Sequence, residues 1–453
     1  MVLQVRSLLK RSYVFGPTFL CKRRKVYIVS SLWEGLRRRK IETVVHKKPS
    51  NAPARRDFLK TAGLGALGLA LPELSLARVF GGEQSGEAGE LLVYVGTYTT
   101  DKSEGIYLYR LHLASGELKK VATTRGVVNP SFLAIAPNRR YLYAVNEVEE
   151  FASKKSGALS AFAIDQKTGE LQLLNQQASL GGAPCYVVLD KAGRFVLVAN
   201  YAGGNVAVFP VQSDGSLGQA TDMRQYRGSG MDPKRQEGPH AHCIVLDPSS
   251  RFAYSCDLGT DKIMIFRFDA SAGKLTPNEE PWTQVKAGAG PRHLTFHPGG
   301  KFAYVINELQ ATVTAFAHDQ AKGTLQELQT VATLPADFKG ADTSADIHVS
   351  PNGRFLYCSN RGHDSIAAFK IGLGNGGLSF IAHESTGGKT PRNFAIDPTG
   401  AFLLVANQDS DSIVTFRLDQ NTGRLRSTGH VVEVPSPVCL KFAFSAAASG
   451  NHT

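Results

Sequence analysis

From Leu91 onward the chain is a succession of short apolar runs of period two, cut by turn residues. Period two is the signature of strands, because successive side chains point to opposite faces. The clearest copy is residues 290–308, GPRHLTFHPGGKFAYVINE. It holds two apolar runs joined by Pro-Gly-Gly, with an Arg just inside its start and a Glu at its end. Runs of the same design open at Pro130, Pro184, Pro239, Pro291, Ser344 and Pro391, and a half-copy opens at Pro437. A second marker, a Gly-x-Leu turn, recurs between them at 116–118, 169–171, 215–217, 273–275, 323–325, 376–378 and 423–425.

Both markers count to seven. Each unit holds four short strands with Asp-Pro-x-Gly turns early and Gly-x-Leu turns late. Four-stranded units of about 50 residues indicate a β-propeller. The first unit lacks its opening strand, and the orphan run Val438–Phe444 supplies one. The pattern therefore predicts an all-β, seven-bladed β-propeller with four antiparallel strands per blade. Its ring closes by pairing the N- and C-terminal strands, which removes the open edges. The propeller domain is expected at 91–446, with a tail at 447–453.

Charge separates the rest of the chain from this body. The net charge is +12, yet residues 1–60 hold 16 Lys+Arg against 3 Asp+Glu. That leaves 35 basic and 36 acidic residues beyond them, a nearly neutral body with no basic footprint for nucleic acid. Residues 1–54 read as a basic leader, disordered or mis-started. Residues 55–77 read as a twin-arginine-type signal peptide: Arg55-Arg56 with Phe58, Leu59 and Lys60, a mild apolar run Thr61–Leu71, then Ser75-Leu76-Ala77. That run is too short for a stable membrane span. A linker at 78–90 follows. The expected location is periplasmic or extracellular through the twin-arginine export machinery, or cytoplasmic without that signal. The body's five cysteines have no metal or disulfide spacing and read as small core residues.

Blade geometry then nominates a site. The innermost strand crosses from one face of the ring to the other, and the second strand returns. The start of the first and the end of the second therefore share a rim. The residue after the opening Pro gives His240, Arg292 and Arg392, with His242 on the same inward face. The residue after the Asn that ends the second strand gives Glu147, Tyr201, Glu308 and Arg361. Arginines offer fork-shaped donors to anions and oxyanions, and His or Glu can move a proton. Three arginines around His and Glu suit an anionic ester or lactone. No metal set is expected: the rim offers Arg where calcium needs oxygens, and His240-Ala-His242 lacks a third zinc ligand. Asp346 and His348 are candidates for inner-face or supporting roles, and His363 for a ligand contact from the loop after strand two. His293, offset by one, is expected to pack between blades.

The segments GPHAH 238–242, GPRHLTFHPGGKFAYVINEL 290–309, SADIHVSPNGRFLYCSNRGHDSI 344–366 and PRNFAIDPTGAFLLVANQDSDSI 391–413 resemble the lactonase family of seven-bladed propellers. That family includes the propeller-type 6-phosphogluconolactonases and the fungal carboxy-muconate lactonizing enzymes. The resemblance covers about 91–446 and implies lactone ring opening or closing without a cofactor, by His, Arg and Glu at the channel mouth. It carries catalytic roles to His240 or His242, Arg292, Glu308 and Arg361. Arg392, Glu147, Tyr201, His363 and Asp346 are then the substrate-binding set. The expected activity is hydrolysis of a small anionic sugar-acid lactone by a monomer. A lactonizing cyclase and a non-catalytic exported binding propeller are the alternatives. Asp346 stands where many relatives carry Glu, and an export signal sits oddly with a cytosolic phosphorylated substrate.

Overall fold

The computed structural model describes residues 89–99 and 102–444. The leader, the signal peptide, most of the linker and the tail lie outside them. Seven four-stranded antiparallel sheets follow one another around a ring. The first blade consists of Pro437–Phe444 innermost, then Glu90–Thr97, Gly105–His112 and Leu118–Arg125. The chain's first described strand thus pairs with its last, Leu91 facing Phe444 and Thr97 facing Pro437. The other blades have inner strands Leu133–Ile135, Pro184–Leu189, Ala241–Leu246, Pro291–Phe296, Thr343–Val349 and Pro391–Ile396. The first strand starts one residue earlier than expected, since Glu90 already pairs with His112. A small hairpin, Glu150–Phe151 with Lys154–Lys155, is an insertion that the repeat did not announce.

The two sequence markers meet in space. A buried Tyr on the second strand of one blade donates to the carbonyl of the Gly-x-Leu glycine in the next. The pairs are Tyr94 to Gly169, Tyr143 to Gly215, Tyr254 to Gly323, Tyr304 to Gly376 and Tyr357 to Gly423, at 2.7–3.0 Å. Each hydroxyl is satisfied inside an apolar interface, where an unpaired one costs about 1–3 kcal/mol. Glycine is required at these turns. Gly323 has φ of +73°, and a Cβ there would stand 2.4 Å from the Phe252 ring. Between the blades the facing strands bury continuous apolar layers, such as Tyr304, Ile306 and Val313 against Ile347, Leu356 and Cys358.

Candidate active site

The inner strands share an irregularity at one end. In blades three, four, five and seven, the ladder to the second strand slips by one residue: between Pro184 and Tyr186, Ala241 and Cys243, Pro291 and His293, and Pro391 and Asn393. The skipped residues are Cys185, His242, Arg292 and Arg392. A bulge frees a side chain from the pleat and re-aims it, and here it turns all four toward one mouth of the channel. Blade six slips between Ser344 and Ile347, which places Ala345 and Asp346 in the same zone.

That mouth holds a cavity of about 360 Å³. Its wall includes Tyr98, Glu147, Cys185 and Arg392, together with Tyr201, His242, Arg235, Glu308, Thr343 and Arg361.

Glu308 is the electrostatic centre of one side. Arg235 Nη2 donates to its Oε1 at 2.6 Å, and Arg361 Nη2 lies 3.0 Å from Oε2. Arg292 Nε also lies 3.0 Å from Oε2, off the hydrogen-bond direction, so that contact is an ion pair without a formed hydrogen bond. Burial alone would raise the Glu308 pKa. The charges of Arg361, Arg292 and Arg235 outweigh it and hold the carboxyl at about 2. Arg361 is pulled down to about 10 by burial, which Glu308 only partly offsets. It also donates to the carbonyls of Thr343 and Ser344 at 3.1 and 3.2 Å.

The opposite side is built on Glu147. Tyr98 places its hydroxyl 3.0 and 2.9 Å from the two carboxylate oxygens, and Ser131 Oγ donates to Oε2. The Arg392 guanidinium lies over the Tyr98 ring, 5.4 Å from its centroid. Burial lowers the Arg392 pKa, but Tyr98, Glu147 and Glu308 raise it further, so the net shift is upward. Among the described residues no hydrogen bond joins this guanidinium to a protein acceptor, in contrast to the other three arginines.

Below the mouth the channel is plugged. His293 makes edge contacts with the rings of Phe132, Tyr186 and His242, on three other blades. It therefore sits on the ring axis, and the expectation that it packs between two blades is corrected. The bulge at Arg292 shifts the parity by one, so both neighbours point inward. Its Nδ1 faces Asp346 Oδ1 at 2.8 Å and its Nε2 faces Arg292 Nη1 at 3.1 Å. A neutral ring satisfies both, with Nδ1–H donating and Nε2 accepting. Burial and Arg292 do keep the His293 pKa down at about 3, against the pull of Asp346. Asp346 also accepts from Asn393 Nδ2 at 2.5 Å and meets His348 Nε2 at 3.0 Å.

Not every sequence candidate reaches the cavity. His242 lines it, a neutral imidazole whose pKa burial pushes well below 6.5, with Arg292, His293 and Arg392 adding to the effect. His240 does not: its ring stacks on Tyr201 at 4.4 Å and bonds Glu237. Blade four carries two extra residues after Pro239, so counting from the Pro falls two residues short. The ladder partner Ala241↔Asp257 matches Pro291↔Asn307 and sets His242, not His240, in register with Arg292. His363 turns away to Ser365, Phe338 and His383. Asp346 lies under the floor. Arg235 escaped the sequence reading, because it sits on the long connection before blade four, outside the repeat. Cys185 is a free, buried thiol like the other four described cysteines, and burial pushes its pKa up, yet it also lines the cavity. Among the described residues no His, Cys, Asp and Glu cluster suits a metal ion, and no helix is long and apolar enough to cross a membrane.

A seven-bladed ring whose mouth is lined by three arginines, two glutamates and a neutral histidine, with a fourth arginine, Arg292, buried beneath and paired with Glu308, is the arrangement of a propeller lactonase. The chain belongs to the family described as lactonase, 7-bladed β-propeller, whose model matches residues 92–442. It is a lactone-opening carboxylic ester hydrolase, most like 6-phosphogluconolactonase. The relative of that name from Bacillus subtilis (strain 168) is 40% identical over 349 residues, covering 77% of this chain and 97% of its own. One from Formosa agariphila is 39% identical over 66% of this chain and 84% of its own. The solved structure of the Pseudomonas aeruginosa periplasmic gluconolactonase superposes with a TM-score of 0.74 at 36% identity, covering 79% of this chain and 99% of that one.

Proposed function

We propose that the chain hydrolyses a sugar-acid lactone, 6-phosphoglucono-1,5-lactone or its unphosphorylated analogue, after export from the cytoplasm. The observation that carries this reading is Arg392, whose guanidinium, unlike those of Arg235, Arg292 and Arg361, has no hydrogen-bond acceptor among the described residues. Its donors are free for the lactone carbonyl, where negative charge develops as water adds. Arg361 and Arg235 place further positive charge on the opposite wall for the substrate's anionic group, and the neutral His242 is at hand for a sugar hydroxyl. Export is supported by Arg55-Arg56 and the short apolar run behind it, and by a relative of known structure described as periplasmic.

The test is a panel of aldonolactones, phosphorylated and not, assayed by acid release with wild type and Arg392→Met. Removing one oxyanion donor costs about 10²–10³-fold in kcat in comparable sites, so a fall of that order is expected. Activity of the variant within threefold of wild type on every lactone would remove Arg392 from this role.

A further inference from the structure

We propose that Glu147 is the general base of the hydrolysis, acting on a water held in a chamber beneath the mouth; this rests on the lactonase reading above. The chamber opens about 10 Å³ to the centre of a water molecule, close to the space one water needs. Polar groups of Ser131, Glu147, Arg292, His293, Arg392 and Asn393 border it beside the apolar Phe132 and Val438. A buried water needs two to four such partners. Glu147, Cys185 and Arg392 border both the chamber and the substrate cavity. Water in the one is therefore next to a carbonyl in the other.

The remaining carboxylate at the mouth is unsuited to this task. Glu308 has both oxygens engaged by arginines, at 2.6, 3.0 and 3.0 Å. Glu147 instead is oriented by two neutral hydroxyls, from Tyr98 on the first blade and Ser131 on its own. Such partners fix a carboxylate without the direct ion pairs that hold Glu308. The buried thiol of Cys185 stays protonated, and it lies 3.4 and 3.6 Å from the carbonyls of His242 and Ala241 and 3.7 Å from the His242 ring.

The step balances. Glu147 takes a proton from the water as the water oxygen bonds to the carbonyl carbon. The carbonyl π pair moves onto its oxygen, beside the Arg392 guanidinium. When that pair returns, the bond from the acyl carbon to the ring oxygen breaks. The proton on Glu147 passes to the leaving oxygen, which gives the open hydroxy acid and restores the carboxylate.

The experiment compares wild type, Glu147→Gln and Glu147→Ala on whichever lactone wild type turns over, with and without added sodium formate. Glu147→Gln is expected to lower kcat by about 10²–10³-fold with KM nearly unchanged, the usual contribution of a positioned base. Formate, a small carboxylate that fits the space the Ala leaves, is expected to restore Glu147→Ala activity at least about tenfold and saturably, which loss of a merely structural contact would not allow. Glu147→Gln with kcat within threefold of wild type overturns the assignment. So does a formate-insensitive Glu147→Ala whose circular dichroism matches wild type. A wild type inactive on every lactone sinks the lactonase reading instead, and this assignment with it.

Discussion

Replacing Glu308 by Gln tests the electrostatics of the mouth through stability. The side chain is 5% exposed and faces three guanidinium groups. Its carboxyl sits at about 2 in the folded chain against an ordinary 4.5. Each unit is worth about 1.36 kcal/mol, so the charged form contributes about 3 kcal/mol at neutral pH. That agrees with the roughly 3–5 kcal/mol lost when one partner of a buried ion pair is removed. For a ring of this size the melting temperature should fall by about 5 °C. The pH dependence carries the sharper test. A depressed carboxyl stabilises above its unfolded pKa, near 4.5, and loses that contribution as the pH falls through about 2. The gap between wild type and Glu308→Gln should therefore be full at pH 7 and shrink to about 2 kcal/mol by about pH 3.5. Urea melts of both proteins across that range measure it. A gap below about 1 kcal/mol at pH 7, or one that does not narrow with acid, would refute the account of Glu308 as a charge held by its arginines.

Two further outcomes concern the channel plug and the leader. Asp346→Asn should lower stability by about 1–3 kcal/mol, because Asp346 accepts from His293 and Asn393 inside the ring and an amide can satisfy only part of that set; thermal melts read it. The Asp346 pKa is depressed, despite burial, by His348 and His293, so this loss too should be largest above the carboxylate range and fade with acid. Replacing Arg55 and Arg56 together by Lys should leave the protein in the cytoplasmic fraction of cells that otherwise export it; equal periplasmic amounts from both chains would end the export proposal.

The architecture was legible because a propeller repeats its strand grammar. Seven openings and seven Gly-x-Leu turns must both fit one ring, and the Tyr-to-Gly bonds between blades show why both markers persist. The half-copy at Pro437 revealed the closure. Positions at the mouth were legible where blades share a loop length: Arg392, Glu308 and Arg361 follow from counting and line the cavity, and Arg292 follows too but lies beneath it. Counting could not decide at blade four, where two added residues displace the register and left His240 and His242 as equal candidates. It failed at His293, because a bulge reverses parity without leaving a mark in hydropathy. Arg235 was out of reach altogether, since it belongs to a connection no other blade has. His363 shares the loop of Arg361, but its orientation depends on Phe338 and His383, contacts that a one-dimensional pattern does not contain.

The seam between Pro437–Phe444 and Glu90–Thr97 has a mechanical consequence. The two strands are antiparallel neighbours, and Leu91 and Phe444 lie side by side at the end remote from Tyr98 and the mouth. A tug on the chain ahead of Glu90 against a fixed far terminus would load this pair as a zipper, one ladder bond at a time, rather than in shear across all of them. The ring is thus weakest to force at the one joint not made by a continuous stretch of chain, and the first strand to peel would take Tyr98 with it. A hard pull on the chain ahead of Glu90 therefore opens the seam, and the support that Tyr98 gives Glu147 is lost before the other six blades feel any load.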